Sequence, residues 1–235
     1  MNNSNQDKLG HILSKKFNDF SIINLYGESG TGKTTLALQL ISNFIIKNRN
    51  NQKSCIWIQA SESFPKRRLF SMYSKCNDGK LEYLERMILI YPKVKIKNFL
   101  HQNDSIKKLI DSDLLPYGLK IIVIDNISHY LRFELSKYTN IQIRQNLQDE
   151  FFESIIAPLI FFCENQGVKL IFIHEVSYNP KKDKNVMFNS KLFSRINALN
   201  IELFKHKNTG ENILNLSCKG FLEAFKYEIQ QIGFV

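Results

Sequence analysis

Residues 27–34 read Gly27-Glu28-Ser29-Gly30-Thr31-Gly32-Lys33-Thr34, which is the spacing G-x-x-x-x-G-K-T. Each position has a physical job on a phosphate chain. Glycine admits backbone φ angles that other residues resist, so successive N–H groups can turn inward around an anion. The Lys33 ammonium reaches β- and γ-phosphate oxygens, and the Thr34 hydroxyl is a ligand for Mg²⁺. The flanks agree. Ile22-Ile23-Asn24-Leu25-Tyr26 reads as a buried strand, and Leu36-Ala37-Leu38-Gln39-Leu40-Ile41 as a helix whose N-terminus points its dipole at the phosphates. A glycine-rich turn that binds nothing would not explain this strand–loop–helix order. The pattern implies ATP or GTP with Mg²⁺.

A second carboxylate has the right setting for the metal. Leu119-Lys120-Ile121-Ile122-Val123-Ile124-Asp125 is an apolar run that ends on an acid. A parallel sheet gathers the C-terminal ends of its strands at one rim, where ligands bind. Asp125 there orients the Mg²⁺ held by Thr34, directly or through water. Hydrolysis also needs a group that polarises water. The candidates follow the strand at 54–58, in Gln59-Ala60-Ser61-Glu62-Ser63, where Glu62 is the only carboxylate. Its competing reading is an exposed acid beside a basic helix start. The catalytic candidates are therefore Lys33, Glu62 and Asp125.

Strand-like and helix-like stretches alternate along the chain, which predicts an α/β fold: a mostly parallel twisted sheet with helices on both faces. Further strands are expected at 54–58, 87–91, 168–174, 196–204 and 212–216. The turn-rich Lys207-Asn208-Thr209-Gly210-Glu211 makes the last pair an antiparallel C-terminal edge. Helices are expected at 64–75, from Asp104 or Ser105 to about 115, and at 141–165, the last with a kink at Pro158 and an end at Gly167. Residues 20–235 suit one domain, behind a polar leader at 1–19 whose opening, Met1 to Gln6, is expected to be disordered. Hydrophobic residues form 43% of the chain, enough for a substantial core. No run of about 18 apolar residues predicts a membrane span, and the polar start lacks a signal-peptide core. Cys55, Cys76, Cys163 and Cys218 are scattered, which fits free thiols in a reducing cytosol. The net charge of +10 favours polyanionic partners.

Taken in order, four segments resemble the RecA-type recombinase family, in particular its short RadB-like paralogues. They are the phosphate loop with Thr34-Thr35; Trp57 through Leu69; Asp125 followed by Leu131-Arg132 and Arg144-Gln145; and Ile173-His174-Glu175-Val176. The resemblance spans about residues 20–234. It implies a RecA-like ATPase core in which Gly27, Glu28, Ser29, Gly30, Thr31, Gly32, Lys33, Thr34 and Thr35 cradle ATP, Arg68 packs near the base, and Thr34 and Asp125 hold Mg²⁺. Adenine over guanine rests on this resemblance, since no N-K-x-D guanine-reading motif is present.

Two departures matter. The family's water-activating glutamate aligns with Ser61, one position before Glu62, which implies weak hydrolysis. Its phosphate-sensing glutamine aligns with Glu175, an anion that repels a phosphate unless protonated or turned away; His174 is the alternative donor, or a buried strand-end histidine.

The resemblance also places DNA loops. Arg132 and Arg144 fall in the first, with a helix-surface ion pair as the alternative for either. Lys181, Lys182, Lys184 and Lys191 surround a single acid, Asp183, in the second (177–193), with Arg195 at its edge. Tyr178, Phe188 and Phe193 interleave as stacking groups for unpaired bases; the bland alternative is a solvated loop. If roughly four to five of these cations neutralise phosphates, the single-strand salt slope is about −3. The implied partners are single-stranded DNA and either a full-length recombinase or another copy of this chain. The implied role is assistance to homologous recombination and DNA repair in the cytoplasm. Only about twenty residues precede the core, without a helix–hairpin–helix domain or a clear Phe-x-x-Ala signature, so long filaments are not expected. Other classes remain open: a KaiC-like nucleotide-switched signalling ATPase without DNA, or a non-catalytic ATP-binding adaptor.

Overall fold

The computed structural model describes residues 3–75, 78–113, 115–181 and 183–235, with side chains from residue 9 onward. Cys76 and Lys182 lie outside the described residues. Helix α1 (Asn3–Asp19) is followed by strand β1 (Ile22–Gly27), helix α2 (Lys33–Lys47), β2 (Ser54–Gln59), α3 (Lys66–Tyr73), α4 (Lys80–Met87) and β3 (Ile88–Tyr91). Then come α5 (Phe99–Ile110), β4 (Leu119–Asp125), α6 (His129–Ser136), α7 (Ile141–Phe151), α8 (Ala157–Gln166) and β5 (Lys169–His174). The chain closes with β6 (Val176–Asn179), β7 (Lys184–Met187), the short α9 (Ser190–Phe193), β8 (Leu199–Lys205), β9 (Asn212–Cys218), β10 (Phe221–Lys226), β11 (Ile229–Gln230) and β12 (Gly233–Phe234).

Eight strands form one sheet in the order β10-β9-β8-β1-β5-β4-β2-β3. From β8 to β3 every neighbour is parallel, while β9 and β10 run antiparallel at the edge. Continuous apolar runs suit the central strands because parallel strands are buried on both faces. One core packs α1 to α4 on the first face, through Leu36, Ile41, Leu69 and Leu84; the other packs α5 to α8 on the second, through Ile106, Leu131, Ile155 and Leu159. The expected α/β architecture with its antiparallel edge is present.

The leader is corrected. It is helical, and Leu9, Leu13 and Phe17, four residues apart, bury one stripe against the first core. Phe17 meets the Phe44 ring edge-on at 5.9 Å. The stripe begins beyond the polar opening, so the first six residues gave no sign of it. The expected helix at 104–115 begins earlier instead, because Asn98 accepts a hydrogen bond from the His101 N–H at 2.8 Å and caps it. The expected kink in the long helix is a π-helical turn over Phe152–Ile156, which admits Pro158 at the start of α8.

Candidate nucleotide site and its basic neighbour

Strand β1 delivers the chain to the sheet's rim at Gly27, whose φ is 157°. A Cβ there would collide with the Leu203 carbonyl of β8 and with Thr31 Oγ1, so the turn needs glycine. Gly32 caps α2 in the left-handed region at φ 92°, packed beneath Ile229 and Phe234. The loop thus turns directly into a helix N-terminus, as an anion cradle requires.

Lys33 folds back across the loop. Its Nζ donates to the Gly27 carbonyl at 2.9 Å and to the Glu28 carbonyl at 2.8 Å. Burial draws its pKa down, against the nearby charges of Asp125, Glu175 and Glu28. A partly desolvated cation held by two carbonyls can exchange them for phosphate oxygens, which are stronger partners.

Thr34 and Asp125 lie 91 residues apart in sequence, yet Thr34 Oγ1 donates to Asp125 Oδ2 at 2.9 Å. Burial pushes the Asp125 carboxyl up to about 6, against the Thr34 hydrogen bond and the Lys33 charge, and the Glu62 charge adds to the rise. A buried carboxylate with so raised a pKa is short of positive charge. The Thr34 proton points at that carboxylate, which leaves oxygen lone pairs for a metal. This donor set fits Mg²⁺, a hard cation that takes few protein ligands.

The remaining candidates around the phosphate end separate by what already occupies them. Ser61, at the place where the resemblance expects a glutamate, is built into the strand end. Its N–H donates to the Asp125 carbonyl at 3.1 Å, and its hydroxyl accepts from the Asn126 N–H at 3.2 Å. Glu62 is exposed on the same loop, near enough to Asp125 for its charge to be felt.

Glu175 is close enough for its charge to reach Lys33, but its oxygens are taken up by neighbours. Its Oε1 accepts from His129 Nδ1 at 3.0 Å and from Asn126 Nδ2 at 3.3 Å, and its Oε2 accepts from Arg132 at 3.0 Å. Burial opposes its charge, but the His129, Arg132 and Asn126 hydrogen bonds outweigh it and hold the carboxyl below its usual range. His174 is the buried strand-end histidine and not a phosphate donor. Its Nδ1 meets Ser128 Oγ at 3.0 Å and its Nε2 meets Asn24 Oδ1 at 3.2 Å. Burial lowers its pKa to about 3, so it stays neutral.

The C-terminal hairpin forms one wall that the sequence did not point out. Tyr227 donates to the Thr31 carbonyl at 2.8 Å, inside the phosphate loop. Gln39 of α2 accepts from the Phe234 N–H at 2.6 Å and donates to the Phe234 carbonyl at 3.1 Å. Arg68 Nη2 donates to the Gln230 carbonyl at 2.6 Å, which ties the guanidinium to β11.

The basic residues divide as sharply. Where the resemblance places the second loop, β6 and β7 pair antiparallel, with Val176 opposite Met187 and Asn179 opposite Lys184. Lys181, Lys184 and Lys191 are exposed on this hairpin or just after it, as is Arg195, which lies 3.7 Å from Asp149. Arg144 is exposed on α7. Arg132 is engaged by Glu175, by the Val176 carbonyl at 3.1 Å and by the Phe188 ring. Of the three aromatics, Tyr178 is 58% exposed, whereas Phe193 is 3% exposed and packs on His174 at 4.5 Å, so Phe193 is corrected to a core residue. The hairpin also touches the phosphate loop itself: Asn185 Nδ2 donates to Glu28 Oε1 at 2.6 Å.

A glycine loop between β1 and α2, with a carboxylate from β4 beside it in a mostly parallel sheet, defines a P-loop nucleoside-triphosphate-binding core. The chain has the RecA-like form of that fold and resembles the RecA-type recombinases. The crystal structure of the RadB recombinase superposes with a TM-score of 0.65 over 92% of this chain and 91% of that one, at 20% identity. The DNA repair and recombination protein RadA of Metallosphaera sedula is 23% identical over 162 residues, 68% of this chain and 48% of RadA. The chain thus spans about half the length of the curated relative it matches. A family model, the NB-ARC domain, itself a P-loop module, matches residues 2–112. Among the described residues, no helix is long and apolar enough to cross a membrane.

Proposed function

We propose that the chain binds ATP–Mg²⁺ and single-stranded DNA and assists homologous recombination and repair, with slow ATP hydrolysis. The observation that carries this reading is the Thr34–Asp125 pair at 2.9 Å beneath a phosphate loop that is itself joined to a basic hairpin. ATP supplies the phosphoanhydride and Mg²⁺ the charge that Asp125 is short of. Lys33 exchanges its carbonyls for phosphate oxygens, Thr34 and Asp125 hold the metal, and Arg68 packs at the base.

Hydrolysis is slow because the phosphate end offers a poorly placed base. Ser61 cannot take a proton from water, Glu62 sits one position further on in solvent, and Glu175 is spent on Arg132 and His129. Glu28 links the site to the hairpin: its carbonyl accepts from Lys33 and its carboxylate from Asn185. With a phosphate bound, Lys33 would leave that carbonyl and the Glu28 carboxylate would be repelled, loosening the Asn185 contact. The named repair and recombination relatives favour DNA as the polyanion, with a full-length recombinase or a second copy as protein partner in the cytoplasm.

Anisotropy of a labelled single-stranded oligonucleotide at two salt concentrations, with and without ATP–Mg²⁺, tests this. Salt-sensitive binding that changes with ATP is expected. An absence of binding at low salt in either state would overturn the DNA reading and turn attention to a nucleotide-switched signalling role with a protein partner.

A further inference from the structure

Helices α1 and α2 leave a cavity of about 350 Å³ between them, and no residue of the phosphate loop or of the β6–β7 hairpin lines it. Its floor is apolar: Leu13 and Phe17 come from α1, and Leu36, Leu40 and Phe44 from α2. Phe17 and Phe44 meet edge-on at 5.9 Å. Gly10, also in the lining, lies two helical turns before Phe17, about 10 Å along the axis, so the space is elongated. A Cβ on Gly10 would meet nothing within 4 Å, so close packing does not require glycine there. Glycine weakens a helix interior relative to alanine; here it leaves the cavity open.

The polar groups of the lining are unequal. Gln39 spends both amide ends on the Phe234 backbone, at 2.6 and 3.1 Å. Asn48 answers the last carbonyls of α2: its side chain donates to the Phe44 carbonyl at 2.8 Å, and its N–H to the Phe44 and Ile45 carbonyls at 3.1 and 3.2 Å. Those carbonyls therefore do not call on Lys47. Lys47, one turn beyond Phe44, is exposed and forms no ion pair among the described residues. The lining thus holds one cation and no carboxylate.

We infer that this cavity is a second ligand site, for a small amphiphilic anion: a carboxylate on a short aliphatic chain, its tail between α1 and α2 and its head at Lys47. The inference stands apart from the ATP and DNA readings. Ligand pockets span about 300–1,000 Å³, so this one takes a small molecule. An apolar floor with a few polar groups is the division such pockets use to hold and orient a ligand. The engaged Gln39 amide has no hydrogen-bonding group left to offer a head, so the Lys47 end sets the orientation. Charge selects the head: a cation would be repelled by Lys47, and a neutral group would leave the ammonium without a counter-charge. Helix α2, one wall of the site, begins at Lys33, so the site and the phosphate loop share one rigid element.

The test is calorimetric titration of the full chain with octanoate, hexanoate and the neutral octan-1-ol. Octanoate is expected to saturate a single site. Each buried CH₂ contributes about fourfold in affinity, so hexanoate should bind about 15-fold more weakly. Gly10→Leu fills the open end and should abolish binding of all three. Its melting temperature should equal or exceed the parent's, since leucine suits a helix interior better than glycine. Lys47→Met keeps the apolar stem at an exposed position; it should weaken octanoate about threefold, as an exposed charge pair is worth, and leave octan-1-ol unchanged. The proposal falls if octanoate saturates no site on the parent, or if Gly10→Leu binds it as the parent does. It also falls if Lys47→Met changes neither ligand, which would make the cavity an apolar hole without preference for an anion. If octanoate does not bind but Gly10→Leu lowers the sedimentation mass, the cavity is a protein interface and the proposal is overturned.

Discussion

Two carboxylates whose charges both reach Lys33 stand under opposite conditions. Asp125 is 5% exposed, and its pKa is raised to about 6. Glu175 is half-buried, takes three donors and is held below its usual range. The same functional group is short of positive charge in one place and supplied with it in the other. Asp125 is therefore a group that gains by meeting a cation, whereas Glu175 is a tie that fastens α6 to the end of β5. The contrast separates the binding chemistry of the rim from its mechanical connections.

Replacing Asp125 should break the comparison with the largest effect. Its folded pKa of about 6 lies above the ordinary carboxyl value of 3.8, so the folded chain binds this proton more tightly than the unfolded one. Stability therefore falls as pH rises through about 4 to about 6 and levels off above. The penalty is of order 3 kcal/mol at neutral pH. Asp125→Asn is expected to raise the stability of the nucleotide-free chain near pH 7 and to remove that pH dependence, while abolishing stabilisation by ATP–Mg²⁺. Urea unfolding between pH 4 and 7, with and without the nucleotide, reads both.

The next effect concerns the missing base. Ser61→Glu places a carboxylate where the resemblance expects one. It should raise single-turnover ATP hydrolysis by roughly 100-fold, the lower end of what general-base catalysis supplies. An unchanged rate would mean that the strand end, with its Asn126–Ser61 hydrogen bond lost, no longer aims the side chain at water.

Much of this was legible in the sequence, and the limits have physical causes. Gly27 through Thr34 and the Asp125 strand carry their chemistry in local spacing, so the site's centre was readable. Burial of Phe193 and the engagement of Arg132 depend on where β5, α6 and the hairpin meet, and no local pattern encodes that. Tyr227, Gln39 and Asn185 were missed for the same reason: each acts through a partner more than 150 residues away in sequence. One signal was available for α1, the four-residue spacing of Leu9, Leu13 and Phe17, but the polar opening masked it.

Smaller effects sharpen the picture of Glu175 as a tie. Glu175→Gln removes the anion that holds Arg132 and His129, and should destabilise the chain by about 1 kcal/mol. Because the folded pKa is lowered, the charge's contribution is present above the ordinary value and is lost as pH falls through the folded one. Releasing Arg132 should at the same time tighten DNA binding severalfold, measured by anisotropy. The smallest change is Glu28→Ala. It should leave overall stability within about 0.5 kcal/mol yet speed amide exchange across residues 176–187, seen by mass spectrometry. Exchange equal to the parent's would show that the Asn185 contact does not hold the hairpin.

The central claim is that Thr34 and Asp125 form a magnesium–nucleotide site beneath the phosphate loop. Calorimetric titration with ATP, in the presence of Mg²⁺ and then of a chelator, tests it most directly. The account predicts binding at least about tenfold tighter with Mg²⁺, a difference of about 1.4 kcal/mol, and no such difference in Asp125→Asn. Equal affinity with and without the metal in the unaltered chain would contradict it.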